Sequence, residues 1–193
     1  MDQQKLRTLR ILEEIEKDQS PSQRELARKL NISLGLVNSF IKRLTQKGYF
    51  KATTIPRNRI KYILTPKGFA EKTRLTYEYI QLSYHFYRDA RSKLKKIFVN
   101  FEKNNIQRIV FFSAGDLAEI AYLSLQETSI QLVAIVDKQK KGDQYLNQTI
   151  KDPDLLPSLV FDKVLITSDT PSKKILEKIS GYGIPHEKIE MVM

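Results

Sequence analysis

The chain has no cysteine and only two histidines, His85 and His186, far apart in its 193 residues. Disulfides, thiolate metal sites and thiol nucleophiles are excluded, and a transition-metal centre has too few soft ligands to form. No apolar run approaches the roughly 18 residues of a membrane span. The opening stretch, residues 1–17, is amphipathic and lacks the apolar core of a secretory signal, so the expected location is the cytoplasm, away from any membrane. Acid is missing in one place above all: between Glu25 and Glu71 there is no carboxylate, while that interval holds ten Lys and Arg side chains. Such a span attracts a polyanion or forms a solvated basic surface.

What is present divides unevenly. Residues 1–105 carry 23 Lys and Arg against 10 Asp and Glu, net +13, and residues 106–193 carry 10 against 12, net −2, which together give the chain's +11. A hydrophobic fraction of 41% supports packed cores. The length suits two small domains better than one.

In the basic half, Leu6, Leu9, Leu12 and Ile15 recur at helical spacing and predict a first helix ending near Asp18. Ser22 and Glu25 make a capping box for a second helix with Leu26, Ala27 and Leu30 inside. Asn31 suits the left-handed stop that ends it, and Ser33 suits the cap of a third helix over residues 34–47, closed by Gly48. Val37, Ile41 and Leu44 form its buried face. Its other face offers Asn38, Ser39, Lys42 and Arg43, with Lys47 at the end: amide, hydroxyl and cationic donors of the kind that read base edges and phosphates. Residues 50–55 and 60–64 then read as two strands around a turn in which Arg57, Asn58 and Arg59 form the tip. That tip is either a wing that grips a minor groove or phosphates, or an ordinary hairpin end.

The run from Ser22 to Phe50, Ser-Gln-Arg-Glu-Leu-Ala-Arg-Lys-Leu-Asn-Ile-Ser onward, the Arg57-Asn58-Arg59 turn and Tyr62-Ile63-Leu64-Thr65-Pro66-Lys67-Gly68 together resemble winged-helix regulators of the MarR type over about residues 4–75. The resemblance implies a double-stranded DNA partner, with Ser33, Asn38, Ser39, Lys42, Arg43, Lys47, Arg57, Asn58 and Arg59 as contacts.

Thr65 as cap and Pro66 at the first helical position begin a segment free of proline and, after Gly68, of glycine until Gly115. A long helix over about residues 66–104 is expected. Tyr77, Ile80, Tyr84, Tyr87, Leu94, Phe98 and Phe101 follow steps of three and four if Arg91 fills one slot. That seam wants a partner, either the same helix of a second subunit in a homodimer or the chain's own second domain.

Beyond it, a strand at residues 108–112, the turn Ser113-Ala114-Gly115-Asp116, a helix, a strand at residues 132–136 ending in Asp137, a strand at 164–167, a helix at 171–179 and a strand at 189–192 alternate. They predict a small parallel sheet with flanking helices. Asp137 lies 22 positions after Gly115, a spacing at which dinucleotide folds offer a carboxylate to ribose. The glycine fingerprint is incomplete: Ser113 stands at the first glycine position, and the Asp116 carboxylate would repel an anion at the helix start. Ala114-Gly115-Asp116-Leu117-Ala118-Glu119-Ile120-Ala121, Val133-Ala134-Ile135-Val136-Asp137 and Lys140-Lys141-Gly142 resemble the Rossmann-like domain that begins polysaccharide-biosynthesis nucleotide-sugar dehydratases and epimerases, over about residues 106–193. The resemblance implies a nucleotide or nucleotide-sugar near Ser113, Gly115, Asp116, Asp137, Thr167 and Ser168; the alternative is a scaffold that only packs or dimerises.

The expected class is thus α+β in two domains: a winged helix-turn-helix at 1–75, a linker and dimerisation helix at 76–105, and a Rossmann-like sensing domain at 106–193. The expected function is a sequence-specific transcriptional regulator with a small-molecule effector, linked to polysaccharide genes. An enzyme on nucleotide-sugars is the rival reading, as is a ligand-free architectural DNA-binding protein. No Tyr-x-x-x-Lys pair occurs and no metal-ligand cluster is present, so neither a catalytic nor a metal residue is assigned.

Overall fold

The structure is a computed structural model that describes residues 1–18, 21–55, 59–168 and 172–192. The chain divides into two compact units, Met1–Tyr84 and His85–Met193.

The first unit runs α1 (Gln3–Lys17), α2 (Gln23–Leu30), α3 (Leu34–Gln46), β1 (Phe50–Ile55), β2 (Arg59–Leu64) and the start of α4 (Pro66–Lys103). Each helix start is satisfied by a side chain. Asp2 accepts from Lys5 N, Ser33 accepts from Leu36 N, and the Ser22/Glu25 box closes in both directions, at 3.1 Å and 2.7 Å. Asn31 takes φ 51° and Gly48 φ 71°, so both stops are left-handed as their residue types suggest. Strands β1 and β2 pair antiparallel, Phe50 opposite Leu64. Phe50 and Tyr62 meet edge to face at 5.5 Å and join Ile11, Leu12, Ile15, Leu26, Val37, Phe40 and Leu44 in one core.

The second unit holds a parallel sheet in the order β4-β3-β7-β8, from β3 (Arg108–Phe112), β4 (Gln131–Val136), β7 (Lys163–Ile166) and β8 (Ile189–Met191). Helix α5 (Asp116–Leu125) links β3 to β4, and α6 (Ser172–Gly181) links β7 to β8. Between β4 and β7 lie a small hairpin, β5 (Gln144–Tyr145) with β6 (Gln148–Thr149), and a 3-10 turn at Pro153–Ser158. Alternation along the strands separates two cores. Ile109, Phe111, Ile135 and Leu165 face α5 and the second half of α4, while Val110, Phe112, Val136, Val164 and Ile166 face α6 and the 3-10 turn. The chain therefore winds one way from β3 and the other way from β7, and a switch point falls between their carboxyl ends.

Helix α4 is continuous, but its expected seam is not one surface. Leu94, Phe98 and Phe101 are buried in the core of the second unit, whereas Tyr77, Ile80 and Tyr84 are exposed. The periodicity was shared by two jobs: the later positions pack on the chain's own sheet domain, and only the earlier ones remain for another partner. Among the described residues no helix is long and apolar enough to cross a membrane, and no three acids or histidines gather in a way that could hold a metal ion.

Candidate nucleic-acid interface and ligand cavity

Burial of Val37, Phe40, Ile41 and Leu44 leaves the opposite side of α3 to solvent. Asn38, Ser39 and Lys42 all stand exposed there. So do Gly35 and Gln46, which the residue chemistry alone did not single out, because a glycine carries no donor and Gln46 sits in the last turn. A Cβ added at Gly35 would meet nothing within 4 Å, so the fold does not require glycine at that position. Its absence of side chain leaves a gap flanked by Asn38 and Ser39, and backbone can approach a groove floor there. Ser33 is exposed as well, though its hydroxyl is engaged as the α3 cap.

Arg43 belongs to the flank instead. Its Nη1 donates to Gln4 Oε1 at 3.1 Å and its guanidinium lies 4.4 Å from the Phe40 ring centre. With Lys47, Tyr49 and Arg74 it lines a polar recess of about 190 Å³. Lys47 is exposed, 5.8 Å from the Tyr49 ring centre. Arg57 and Asn58 lie outside the described residues, and Arg59 opens β2.

Four acids of this unit are held in ion pairs, and one of them, Glu71, lines the same recess as Arg43 and Lys47. Glu14 pairs with Lys29 at 2.9 Å, Glu78 with Lys5 at 2.9 Å, Glu71 with Arg74 at 2.9 Å, and Glu16 with Lys72. The Arg74 hydrogen bond outweighs burial and holds the Glu71 carboxyl below its ordinary range, while the Lys29 hydrogen bond does the same for Glu14. Lys42 forms no ion pair among the described residues, so its charge faces outward uncompensated.

At the switch point of the second unit, Ser113 follows β3 with φ 91°, a conformation that favours glycine. The bend of a glycine turn is thus kept with serine in it, at a cost of about 1–3 kcal/mol. Four hydrogen bonds over-determine it. Ser113 N donates to Val136 O at 2.8 Å, the Thr167 hydroxyl donates to Ser113 O at 2.6 Å and Phe112 O at 3.0 Å, and Ala114 N donates to Asp137 Oδ2 at 3.0 Å. Thr167 is buried beneath the turn.

Asp137 accepts four bonds: Ala114 N and Ser113 Oγ on Oδ2, Gln139 N and Lys140 N on Oδ1. A carboxylate has about four acceptor positions, so this one is filled without a ribose. Burial raises its pKa, and the backbone bonds from Ala114, Gln139 and Lys140 with the Lys140 charge lower it further, leaving the net below the ordinary 3.8. A depressed carboxyl contributes stability that is complete above its unfolded value and is lost as pH falls through the folded one. Asp137→Asn is accordingly expected to cost the second unit about 1–3 kcal/mol at pH 7, and the gap from the native chain should shrink below about pH 4. Hydrogen exchange of β3 and β4 amides at pH 7 and pH 3 measures it; a gap that persists at the lower pH would rule the linkage out.

Ser113, Asp137 and Ser168 line one cavity of about 400 Å³, with Phe112, Lys138 and Gln139 beside them, Pro153 from the 3-10 turn, Ile175 and Lys178 from α6, and Tyr182 just after that helix. The other expected ligand residues, Gly115, Asp116 and Thr167, do not line it.

Two family models match the chain: residues 6–51 match one described as winged helix-turn-helix DNA-binding, and residues 105–190 match one described as C2185-like, N-terminal. None of the curated proteins matches it. Among solved structures, S. aureus MepR in complex with DNA is similar at 17% identity, over 45% of this chain and 62% of that chain, with a TM-score of 0.38. A MarR family transcription regulator is similar at 18% identity, over 50% and 73%, with a TM-score of 0.35. The chain thus spans less than two thirds of MepR's length. By its order of three helices and a two-stranded hairpin, and by the model that residues 6–51 match, the N-terminal unit has the winged helix-turn-helix fold.

Proposed function

We propose that the protein is a sequence-specific transcriptional regulator: the winged unit reads double-stranded DNA, the exposed first half of α4 joins two copies, and the C-terminal unit senses a nucleotide or nucleotide-sugar. The observation that carries the DNA reading is the outer face of α3, where Asn38, Ser39 and Lys42 surround the bare Gly35 and no carboxylate intervenes. An asparagine can pair bidentately with adenine, and a lysine can donate to guanine or phosphate. Dimerisation is supported by Tyr77, Tyr79, Ile80, Leu82, Tyr84 and Phe86, large apolar side chains exposed within one ten-residue stretch. Two reading heads held by one dimer would suit a palindromic site. For the sensor, the switch-point cavity supports the reading, and the resemblance of residues 106–193 to polysaccharide-biosynthesis enzymes points the regulated genes to that chemistry.

The test is fluorescence anisotropy on a duplex selected from random sequence. Asn38→Ala should cost about 1–3 kcal/mol on the selected duplex and less on random DNA. Gly35→Val should leave the fold intact, since its Cβ meets open space, yet weaken binding. Lys42→Ala should reduce the slope of log K against log salt by about 1. Failure of the native chain to bind any duplex in 50 mM salt would end the proposal.

A further inference from the structure

The carboxyl edge of the sheet offers a ligand two places, one on each face. The first is the start of α5, over the Ser113-Ala114-Gly115 turn, and its polar groups are already spoken for. Ala114 N is bound to Asp137, Ala114 O accepts from Lys140 Nζ, and Gly115 O accepts the Tyr145 hydroxyl at 2.7 Å. Asp116 and Glu119 fill the first turn of α5 with negative charge. Burial first, and then the charges of Glu119 and Asp116, push the Tyr145 hydroxyl up to about 12. A pyrophosphate there would meet repulsion.

The second place is the cavity on the α6 face, and its chemistry is opposite. Phe112, Pro153, Ile175 and the half-buried Tyr182 give it an apolar wall. Ser113 and Ser168 give it hydroxyls, and exposed Lys138 and Lys178 give it two cations. The carboxylate among its lining residues, Asp137, is saturated by its four donors. Lys178 forms no ion pair among the described residues. At about 400 Å³ the space lies near the lower end of the roughly 300–1,000 Å³ of small-ligand sites. It admits one nucleotide and is small for two.

We propose that this cavity takes a nucleoside 5′-monophosphate, with the base against Tyr182 and the apolar wall, the phosphate met by Lys138 and Lys178, and the α5 turn left empty. The inference rests on the sensing role assigned to the C-terminal unit and specifies its ligand and its face of the sheet. A dianion opposite two cations gains charge-assisted hydrogen bonds, and a planar base gains stacking on an aromatic ring. At α5 the Lys140 ammonium and the Tyr145 hydroxyl are already bound to Ala114 O and Gly115 O, and the carboxylates of Asp116 and Glu119 stand beside them.

Calorimetric titration of the full chain with AMP, GMP, UMP and CMP, the four matching nucleosides, NAD⁺ and UDP-glucose tests it. At least one monophosphate should bind ten-fold or more tightly than its nucleoside. The Lys138→Ala/Lys178→Ala variant should lose that ten-fold advantage. Gly115→Val, whose Cβ meets nothing within 4 Å, obstructs only the α5 turn and should bind as the native chain does. Binding of NAD⁺ or UDP-glucose that Gly115→Val abolishes and the lysine variant spares would overturn the inference and leave the sensor reading standing. Monophosphate binding indifferent to both variants would overturn it equally. Absence of binding by every probe would remove the inference and the sensor reading together, with the DNA-binding reading untouched.

Discussion

Gly68→Ala is expected to destabilise the winged unit by about 3 kcal/mol, a loss visible in its hydrogen exchange while that of the sheet unit stays as it was. A Cβ on Gly68 would stand 1.8 Å from Tyr49 O and 2.6 Å from Tyr49 C, and backbone cannot swing away as a side-chain tip can. Tyr49 O is also anchored by Thr65. Thr65 N donates to it at 3.0 Å and Thr65 Oγ1 lies at 3.1 Å, while that same hydroxyl reaches Gly48 O at 2.6 Å and accepts from Gly68 N at 3.0 Å. The first turn of α4 is thereby clamped onto the link between α3 and β1. To admit a methyl group the clamp must open, and the distance between α3 and the paired strands β1 and β2 would change with it. DNA affinity should therefore fall together with stability. A Gly68→Ala chain within about 0.5 kcal/mol of the native one would show that the close approach is not kept in solution.

The Thr65-Pro66-Lys67-Gly68 string was legible in the sequence as a helix start, but the reason for its glycine was not, because the partner backbone lies 19 positions away at Tyr49. The same division runs through the whole chain. Features written within a few residues could be read directly: the Ser22/Glu25 box, the Asn31 and Gly48 stops, the alternating strands. The β5–β6 hairpin could not, since its turn places Leu146 at φ 49° and Asn147 at φ 61°, and leucine gives no hint of a left-handed backbone. The cavity was half legible. Ser113, Asp137 and Ser168 are marked by their strand ends, whereas Pro153, Lys178 and Tyr182 arrive from separate segments and carry no motif. Asp137 is marked by its spacing from Gly115 and Thr167 by the resemblance of its segment, but neither signal shows that both also bond to the turn that Ser113 strains.

Helix α4 gives the sharpest test of what periodicity can decide, because one pattern covers two environments. Phe98→Ala is expected to cost the sheet unit about 3–5 kcal/mol: Phe98 is 1% exposed, its ring lies 6.3 Å from that of Phe101, and both fill the face of the sheet shared with α5. Tyr77 and Ile80 occupy the same stripe, yet are 65% and 55% exposed. Their replacement by aspartate should barely change the unfolding of an isolated chain, and it should split a dimer that sedimentation velocity detects in the native protein. Hydrophobic spacing alone predicts like effects at all three positions; burial predicts opposite ones. If Phe98→Ala proved as mild as an exposed substitution, the second half of α4 would not be part of the sheet unit's core. If Tyr77→Asp/Ile80→Asp left the oligomeric state unchanged, the exposed stretch would not be where two copies meet, and two-fold reading of DNA through this helix would fail with it.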